Sequence, residues 1–445
     1  MPVRLESLTY GLANLSSTFE IHTMPDKLVD LETIHYRRVF PWLHLFRAFW
    51  IAIDPRKLLL ATVALVVLSS AEVGLQQLLT SPAEMSSPVT PTRPWPWQET
   101  LGYKLEHKRP LAEIQASLHD PWSFFRNVTS NWQLVLRPVL DLTEPAAKLF
   151  RAHATWPDFA WAVSQFLLQL GVWALFGGAI CRMAAMQFAR DQQVGLWKSL
   201  RFSGSFLLSY LTGPLLPLLG VFLLWGVCAA GGLLGRIPVA GEFVVGVLWG
   251  LGLLASLLMA LILLGLAAGW PLMYATVSVE AFDGFDGLQR GYNYVFERPW
   301  HYLGLGLVTM VHGSIVTFFV WLMGQLVVSL TAWAAGSGLG MEAAARAMSD
   351  VPTLVAAASN APPDNSWIAL FVAGWTRLVA ALVVGFVYSY FWTAATIIYF
   401  LLRRSVDGNE LDEIYVQDEE VKDDLLPLVG TAATPLPIVD TPAKS

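Results

Sequence analysis

Charge is what this sequence has least of. Only 14% of its 445 residues are Asp, Glu, Lys or Arg, against roughly one quarter in a soluble globular domain. That shortage argues against a water-soluble fold and leaves no basic face for nucleic acid. Cysteine is scarcer still. Cys181 and Cys228 are the full complement, both in or beside apolar runs. They exclude a disulfide framework, make a thiolate metal site a poor fit, and read as small core residues. Catalytic signatures are missing as well: there is no P-loop, no GxSxG elbow, no GxGxxG after a strand and no HExxH. The 8 histidines are scattered, with none at the i, i+4 spacing that grips zinc. No metal, cofactor or catalytic residue is expected, and the protein is read as not an enzyme. The opening MPVRLESLTYGLANL lacks the apolar core and small-residue cleavage site of a secretory signal.

What the chain does have is apolar length. Hydrophobic residues make up 55%, with 34 Gly and 19 Trp, and the mean hydropathy is +0.51. A spanning helix needs about 20 mostly apolar residues, and six segments qualify: Leu58–Leu79, Phe159–Cys181, Phe206–Leu234, Phe243–Val277, Tyr302–Ala334 and Trp367–Leu402. The fold expected is an all-α integral membrane protein with six transmembrane helices and interfacial amphipathic helices. The fourth segment would be about 50 Å long at 1.5 Å per residue, against a hydrocarbon core of about 30 Å. It should tilt, or bend at Pro271 and run out along the interface. The third could break near Pro214 and Pro217.

The few cations are segregated. Arg37, Arg38, Arg47, Arg56 and Lys57 precede the first span; Arg182, Arg190, Lys198 and Arg201 separate the second and third; Arg290 and Arg298 separate the fourth and fifth; Arg403 and Arg404 follow the sixth. The alternate short loops hold only Arg236 and Arg346. This positive-inside pattern predicts cytoplasmic N- and C-termini in a cell (inner or plasma) membrane. The organisation expected is a 1–57 cytoplasmic region, a first span over 58–79, an extracytoplasmic loop over 80–158, a five-helix bundle over 159–402 and an acidic, partly disordered tail over 403–445. In the first region FPWLHLFRAFWIAI is too short to span and fits a helix lying in the interface, broken by Asp54-Pro55, with Arg56 and Lys57 at the headgroups. The outer loop opens Pro-rich and extended. Two helix candidates follow, Leu101–Leu118 and Glu144–His153, the latter capped by Thr143 with Pro145 in its first turn. Trp122, Phe124, Phe125 and Trp132 suggest that the loop rests on the membrane or the bundle. A short helix is expected over Glu410–Leu426, before the disordered TAATPLPIVDTPAKS. Asn127-Val128-Thr129 is a glycosylation sequon, of consequence only in a eukaryote.

Two loops on the cytoplasmic side echo each other. An offset of 92 residues sets Ala281 on Ala189, Asp283 on Asp191, Gly287-Leu288 on Gly195-Leu196, Tyr294 on Phe202 and Tyr302-Leu303 on Tyr210-Leu211. Each unit is a span, an amphipathic surface helix begun by Gly-Leu, and a span. The aromatic would dip toward acyl chains, and Lys198, Arg201, Arg290 and Arg298 are candidate lipid-headgroup contacts. The segment DGFDG in the second unit lacks the ligand spacing of a calcium loop and reads first as a structural elbow, second as an ion or headgroup site.

With these residues on the page, the stretch Ala160–Leu402 resembles the multi-pass membrane domain fused to some bacterial glycerophosphodiester phosphodiesterases, and related membrane families. The Arg-Ser-Trp usual in that family's elbow is here Arg290-Gly291-Tyr292, and no α/β stretch long enough for the catalytic barrel exists. The resemblance implies a membrane fold and no catalytic activity.

His312 and Arg377 are the candidate intramembrane polar site. His312 reads first as a hydrogen-bonded packing residue. Arg377 would snorkel outward, or pair with Glu242 or Glu72. Gln165 and Gln169 share a helix face and suit interhelical hydrogen bonds, while Gly231/Gly235, Gly246/Gly250 and Gly265/Gly269 suit close helix approach. The function expected is that of a non-enzymatic membrane component. Its partners are the lipid bilayer and proteins met through the outer loop or acidic tail. The alternative is a transporter or permease subunit for a lipidic or hydrophobic solute; an intramembrane enzyme ranks third.

Overall fold

The structure, a computed structural model, describes residues 40–79, 94–99, 101, 103, 115, 119–149, 156–237, 240–339 and 367–416. The first 39 residues, the Pro-rich opening of the outer loop, nearly all of the Leu101–Leu118 candidate and the end of the acidic tail lie outside them. Among the described residues every regular element is helical. A 3-10 turn, Pro41–Phe46, leads into α1 (Arg47–Ala52) and α2 (Pro55–Leu79). The outer loop gives α3 (Pro121–Ser130), a 3-10 turn (Trp132–Leu136) and α4 (Arg137–Leu149). The remainder is α5 (Trp156–Arg190), α6 (Leu196–Ser205), α7 (Leu207–Leu234), α8 (Ala240–Glu280), α9 (Gly284–Glu297), α10 (Pro299–Leu339) and α11 (Trp367–Val406). Six of these are long and apolar enough to cross a membrane: α2, α5, α7, α8, α10 and α11. Each coincides with one of the six expected segments, and the chain is an all-α integral membrane protein.

The prolines break nothing. Pro214 and Pro217 lie inside α7, both buried, and α8 runs through Pro271 to Glu280. Proline is tolerated within membrane helices because neighbouring groups re-satisfy the freed carbonyls. The excess length of α8, 41 residues or about 60 Å, is used in another way. Phe243, Leu253, Leu257 and Leu264 are exposed, whereas Leu272, Tyr274, Val277 and Val279 are buried. The final part of the helix is thus the centre of a protein core rather than an interfacial run-out.

The two elbow helices do not lie flat. Helix α9 folds back along α8: the Tyr292 hydroxyl donates to the Ile262 carbonyl at 2.6 Å, and a Cβ at Gly291 would stand 3.2 Å from the Gly269 carbonyl oxygen. Ile262 is some 18 residues, roughly 27 Å, back from the end of α8. Helix α6 does the same along α5, where Ser203 Oγ donates to the Ala174 carbonyl at 2.8 Å. In both units the chain turns on one residue with left-handed backbone directly after the long helix, Asp191 at φ 52 and Ala281 at φ 57. The repeat is real in the backbone but not in every expected detail. Gly195 does cap α6. Helix α9 is capped instead by Asp283, whose Oδ1 accepts the Asp286 N–H at 2.9 Å, so Gly287-Leu288 falls inside it. Phe202 and Tyr294 are buried in protein and do not reach for acyl chains. The matched Tyr210 and Tyr302 both bond into α8, the first with Ser278 Oγ at 2.8 Å and the second with the Ala268 carbonyl at 2.8 Å.

The N-terminal amphipathic segment is set into the bundle by one face. Leu45, Ala48, Ile51 and Ala52 are buried while Trp50 is 73% exposed. Asp54 ends it as expected, its Oδ1 accepting the Arg56 N–H at 3.0 Å, with Pro55 opening α2. Lys57 is not at the headgroups. It is fully buried, and Nζ donates to the Ile51 carbonyl and to Gln187 Oε1, each at 2.6 Å. The carbonyls left over at the end of α1 need donors, and a lysine six residues on supplies one. In the outer loop the helix begins at Arg137, not Glu144, and carries Pro145 in its interior. It docks on the bundle: the Tyr388 hydroxyl donates to Asp141 Oδ2 at 2.6 Å, and Val135 and Leu142 are buried. Over 410–416 the tail forms turn and coil, not the expected helix.

Candidate functional site

The ends of α5, α8 and α11 come together beside α9, and the charge the sequence is short of is concentrated there. Glu280, the last residue of α8, is the hub. Its Oε1 accepts from Arg290 Nη1 at 2.9 Å, from Arg403 Nη1 at 3.1 Å and from the Tyr399 hydroxyl at 2.6 Å. The Arg403 side chain is only 3% exposed. Asp407, just past α11, accepts from the Tyr294 hydroxyl and stands 3.7 Å from Arg290. Glu280 thus serves two guanidiniums at once, with Asp407 a second carboxylate for Arg290 and Glu413, 4.0 Å away, a second for Arg403; Glu280 and Arg403 are the buried members. Removing one member of such a set typically costs about 3–5 kcal/mol, because the other charge is left buried and unpaired.

A strap closes over this hub. Arg403 Nη2 donates to the carbonyls of Glu410 at 3.0 Å and Glu413 at 2.7 Å. The Tyr415 N–H donates to the Val279 carbonyl at 3.0 Å. Arg182 of α5 joins the same seam, donating to the Ser278 carbonyl at 2.8 Å and the Tyr415 carbonyl at 2.7 Å, its guanidinium lying 4.3 Å from the Phe202 ring centroid. The arginines therefore satisfy the carbonyls that helix ends and an irregular segment would otherwise leave unpaired.

On the outer side of α9 a hollow of about 660 Å³ opens, walled by Asp286, Gln289, Arg290 and Asn293 with Phe282 and Phe296 at its ends. Arg290 is held from behind. Its guanidinium lies 4.7 Å from the Phe282 centroid and is paired to Glu280, while the side chain remains 33% exposed. Burial, the largest single influence, would lower its pKa; the Glu280 carboxylate and the Tyr399 and Tyr294 hydroxyls together more than offset that, and the net shift is upward. Burial raises the Tyr292 phenol to about 12 and, with Asp407 beside it, holds the Tyr294 phenol well above its ordinary value. Both phenols are hydrogen-bond donors across the physiological range.

The structure separates the residues singled out from sequence. Lys198 and Arg201 are exposed on α6, and Arg298 is exposed after α9; Trp197 and Trp300 beside them are 79% and 84% exposed. Arg290 is built into the ionic hub. His312 bonds through Nδ1 to the Tyr390 hydroxyl at 2.9 Å and meets the Phe46 ring edge-on at 4.8 Å. Arg377 is half-exposed and makes no ion pair with a described residue, whereas Glu72 accepts from Gln165 Nε2 at 3.2 Å. Neither polar residue joins the hub. The sequence reading missed Glu280, and it counted Arg182 and Arg403 only as cytoplasmic cations that set the threading. The signal was there: each interrupts or ends an apolar helix with no second charge of its own sign adjacent in Glu280 and Arg182.

Six spans, two of them followed by fold-back helices, and an ionic hub at the junction of their ends define a polytopic helical membrane protein. Compared with protein-family models, with curated proteins and with solved structures, the chain finds no match in any of the three.

Proposed function

We propose that this protein is a non-enzymatic component of a cell (inner or plasma) membrane, that its N- and C-termini are cytoplasmic, and that it engages lipid headgroups through the fold-back helices. The observation that carries this reading is the surface of those helices. Exposed Lys198, Arg201 and Arg298 stand beside exposed Trp197 and Trp300, the cation and indole pairing favoured where headgroups meet acyl chains. The hollow on α9 adds a recessed polar position on the second fold-back helix. The resemblance to the membrane domain of certain glycerophosphodiester phosphodiesterases points the same way, toward a membrane fold without the barrel.

A permease for a hydrophobic solute has less behind it. Two of the residues that would line a midplane path are engaged by neighbours, Gln165 by Glu72 and His312 by Tyr390. Trp173, Trp270 and Trp392 fill the middle of the bundle. The test is extraction of the full chain from native membranes in mild detergent, together with a tag placed after Ser445. Retained phospholipid, reduced by Lys198→Ala with Arg201→Ala and Arg298→Ala, is the expected result, with the tag shielded in intact cells. A tag reachable from outside, or lipid retention unmoved by the triple variant, would overturn the reading.

A further inference from the structure

The hollow on α9 is chemically asymmetric in a way that names a ligand. Asp286 and Arg290 are four residues apart on one helix, acid first, the spacing and order that ordinarily pair within about 5–6 Å. Here Arg290 turns away to Glu280 and Asp407. The Asp286 carboxylate is left half-buried with no cation among the described residues. The hollow therefore offers an unneutralised carboxylate and, a helical turn along, a guanidinium engaged through Nη1 by Glu280 and still 33% exposed along its side chain. Gln289 and Asn293 line the same hollow, the Asn293 Nδ2 donating to Glu297 Oε2 at 3.1 Å and leaving its amide oxygen to accept.

An anion alone fits poorly. Around Arg290 stand three carboxylates, Glu280, Asp407 and Asp286, so a phosphate would be drawn to one cation and repelled by its neighbours. A zwitterion with phosphate and ammonium a few ångströms apart satisfies both ends at once. The ammonium should be primary, because Asp286 and the amide oxygens of Gln289 and Asn293 are hydrogen-bond acceptors that a trimethylated nitrogen cannot reach with an N–H. Phe282, one of the aromatic faces at the hollow, is already covered by Arg290 and is closed to the cation–π contact that a choline group would make there. Tyr292 and Phe296 lead from the hollow onto the exposed apolar part of α8, where Tyr292 is fixed to Ile262, giving an acyl chain a continuous track.

The geometry points to a binding site for a phosphoethanolamine headgroup carried by a membrane lipid, its phosphate on Arg290 and its ammonium on Asp286. This rests on the reading of the fold-back helices as a lipid-contacting face. The experiment uses the full chain in detergent, offered dioleoyl phosphatidylethanolamine, phosphatidylcholine or phosphatidylglycerol and read by native mass spectrometry. The ethanolamine lipid is expected to bind about tenfold more tightly than the other two. Asp286→Asn should erase that preference with only a small drop in thermal midpoint, since the Asp286 side chain holds no hydrogen bond among the described residues and gives up only its place in the first turn of α9, and Asp286→Glu should restore part of the preference. Equal binding of the three lipids, or a preference that survives Asp286→Asn, overturns the site. So does displacement of the lipid by an equal concentration of water-soluble glycerophosphoethanolamine, which would mark a site for the free phosphodiester. If the preference vanishes while lipid retention still depends on Lys198, Arg201 and Arg298, the site is wrong and the wider reading stands; if that dependence vanishes too, both fall.

Discussion

The hairpin of α7 and α8 and the pair α5 and α11 are equally able to cross a membrane, yet they are treated in opposite ways. In the most apolar stretch of α7 and of α8 only 6% of residues are buried within the protein, against 39% for α5 and 50% for α11. The difference follows the kind of residue. The exposed part of the hairpin is Leu, Val, Phe and Gly, with Leu251, Leu254, Leu257 and Leu261 typical. The buried part of α11 carries Tyr388, Ser389, Tyr390, Thr396 and Tyr399, each with a hydrogen bond from its hydroxyl. In hydrocarbon an aliphatic side chain gains nothing by leaving the lipid, whereas a hydroxyl gains by finding a partner. The core of this protein is therefore chosen by polarity within an apolar background, the reverse of selection in water.

The sharpest way to break this comparison is a pair of tryptophans. Trp392 is fully buried, with Tyr274 stacked at 5.0 Å and Trp270 edge-on at 5.2 Å. Trp392→Ala should cost about 3–5 kcal/mol, followed by reversible unfolding in mixed micelles. Trp249, 65% exposed on the hairpin, should change stability by less than about 0.5 kcal/mol when replaced by Ala. A large loss at Trp249 would mean that the hairpin is covered by protein, not lipid.

Two glutamates sharpen the same contrast in charge. Glu280 ends α8 under two guanidiniums; Glu242, at its other end, is exposed. Glu280→Gln leaves Arg290 and Arg403 sharing one carboxylate fewer and should destabilise by about 3 kcal/mol, near the lower end expected for breaking a buried pair. Glu242→Gln should be neutral. If Arg403→Leu in the Glu280→Gln background restores much of the loss, the penalty was the orphaned charge; if the losses simply add, the hub is a set of independent contacts.

How much of this was legible in advance divides along the same line. The spans were readable because twenty apolar residues in a row carry one meaning, and Asp54-Pro55 was readable because a cap and a ring that fixes φ act locally. The fold-back of α6 and α9 was not. An amphipathic helix beside a membrane span can lay its apolar face on lipid or on the preceding helix, and both bury the same side chains. What decides is contact between residues distant in sequence, such as Gly291 on Gly269 and Tyr292 on Ile262. The hub was invisible for a related reason. Counting Arg182, Arg290 and Arg403 as surface cations gives the threading, and says nothing of which ones turn inward to a carboxylate.

The smallest effect separates the two fold-back units from each other. Both turn on a residue with positive φ, Asp191 at 52° and Ala281 at 57°. Left-handed backbone costs an ordinary L-residue about 1–2 kcal/mol, and Asp or Asn less because the short polar side chain can bond locally. The Asp191 side chain also pairs with Arg47 at 2.6 Å, so glycine there gives up a contact along with the strain. Ala281 has no such compensation. Ala281→Gly should therefore raise stability by about 0.5–1 kcal/mol, net of the extra freedom that glycine gives the unfolded chain, while Asp191→Gly should gain nothing. Equal gains at both positions would show that the turn after α5 is as strained as the turn after α8, and that the Arg47 contact does not hold it in place.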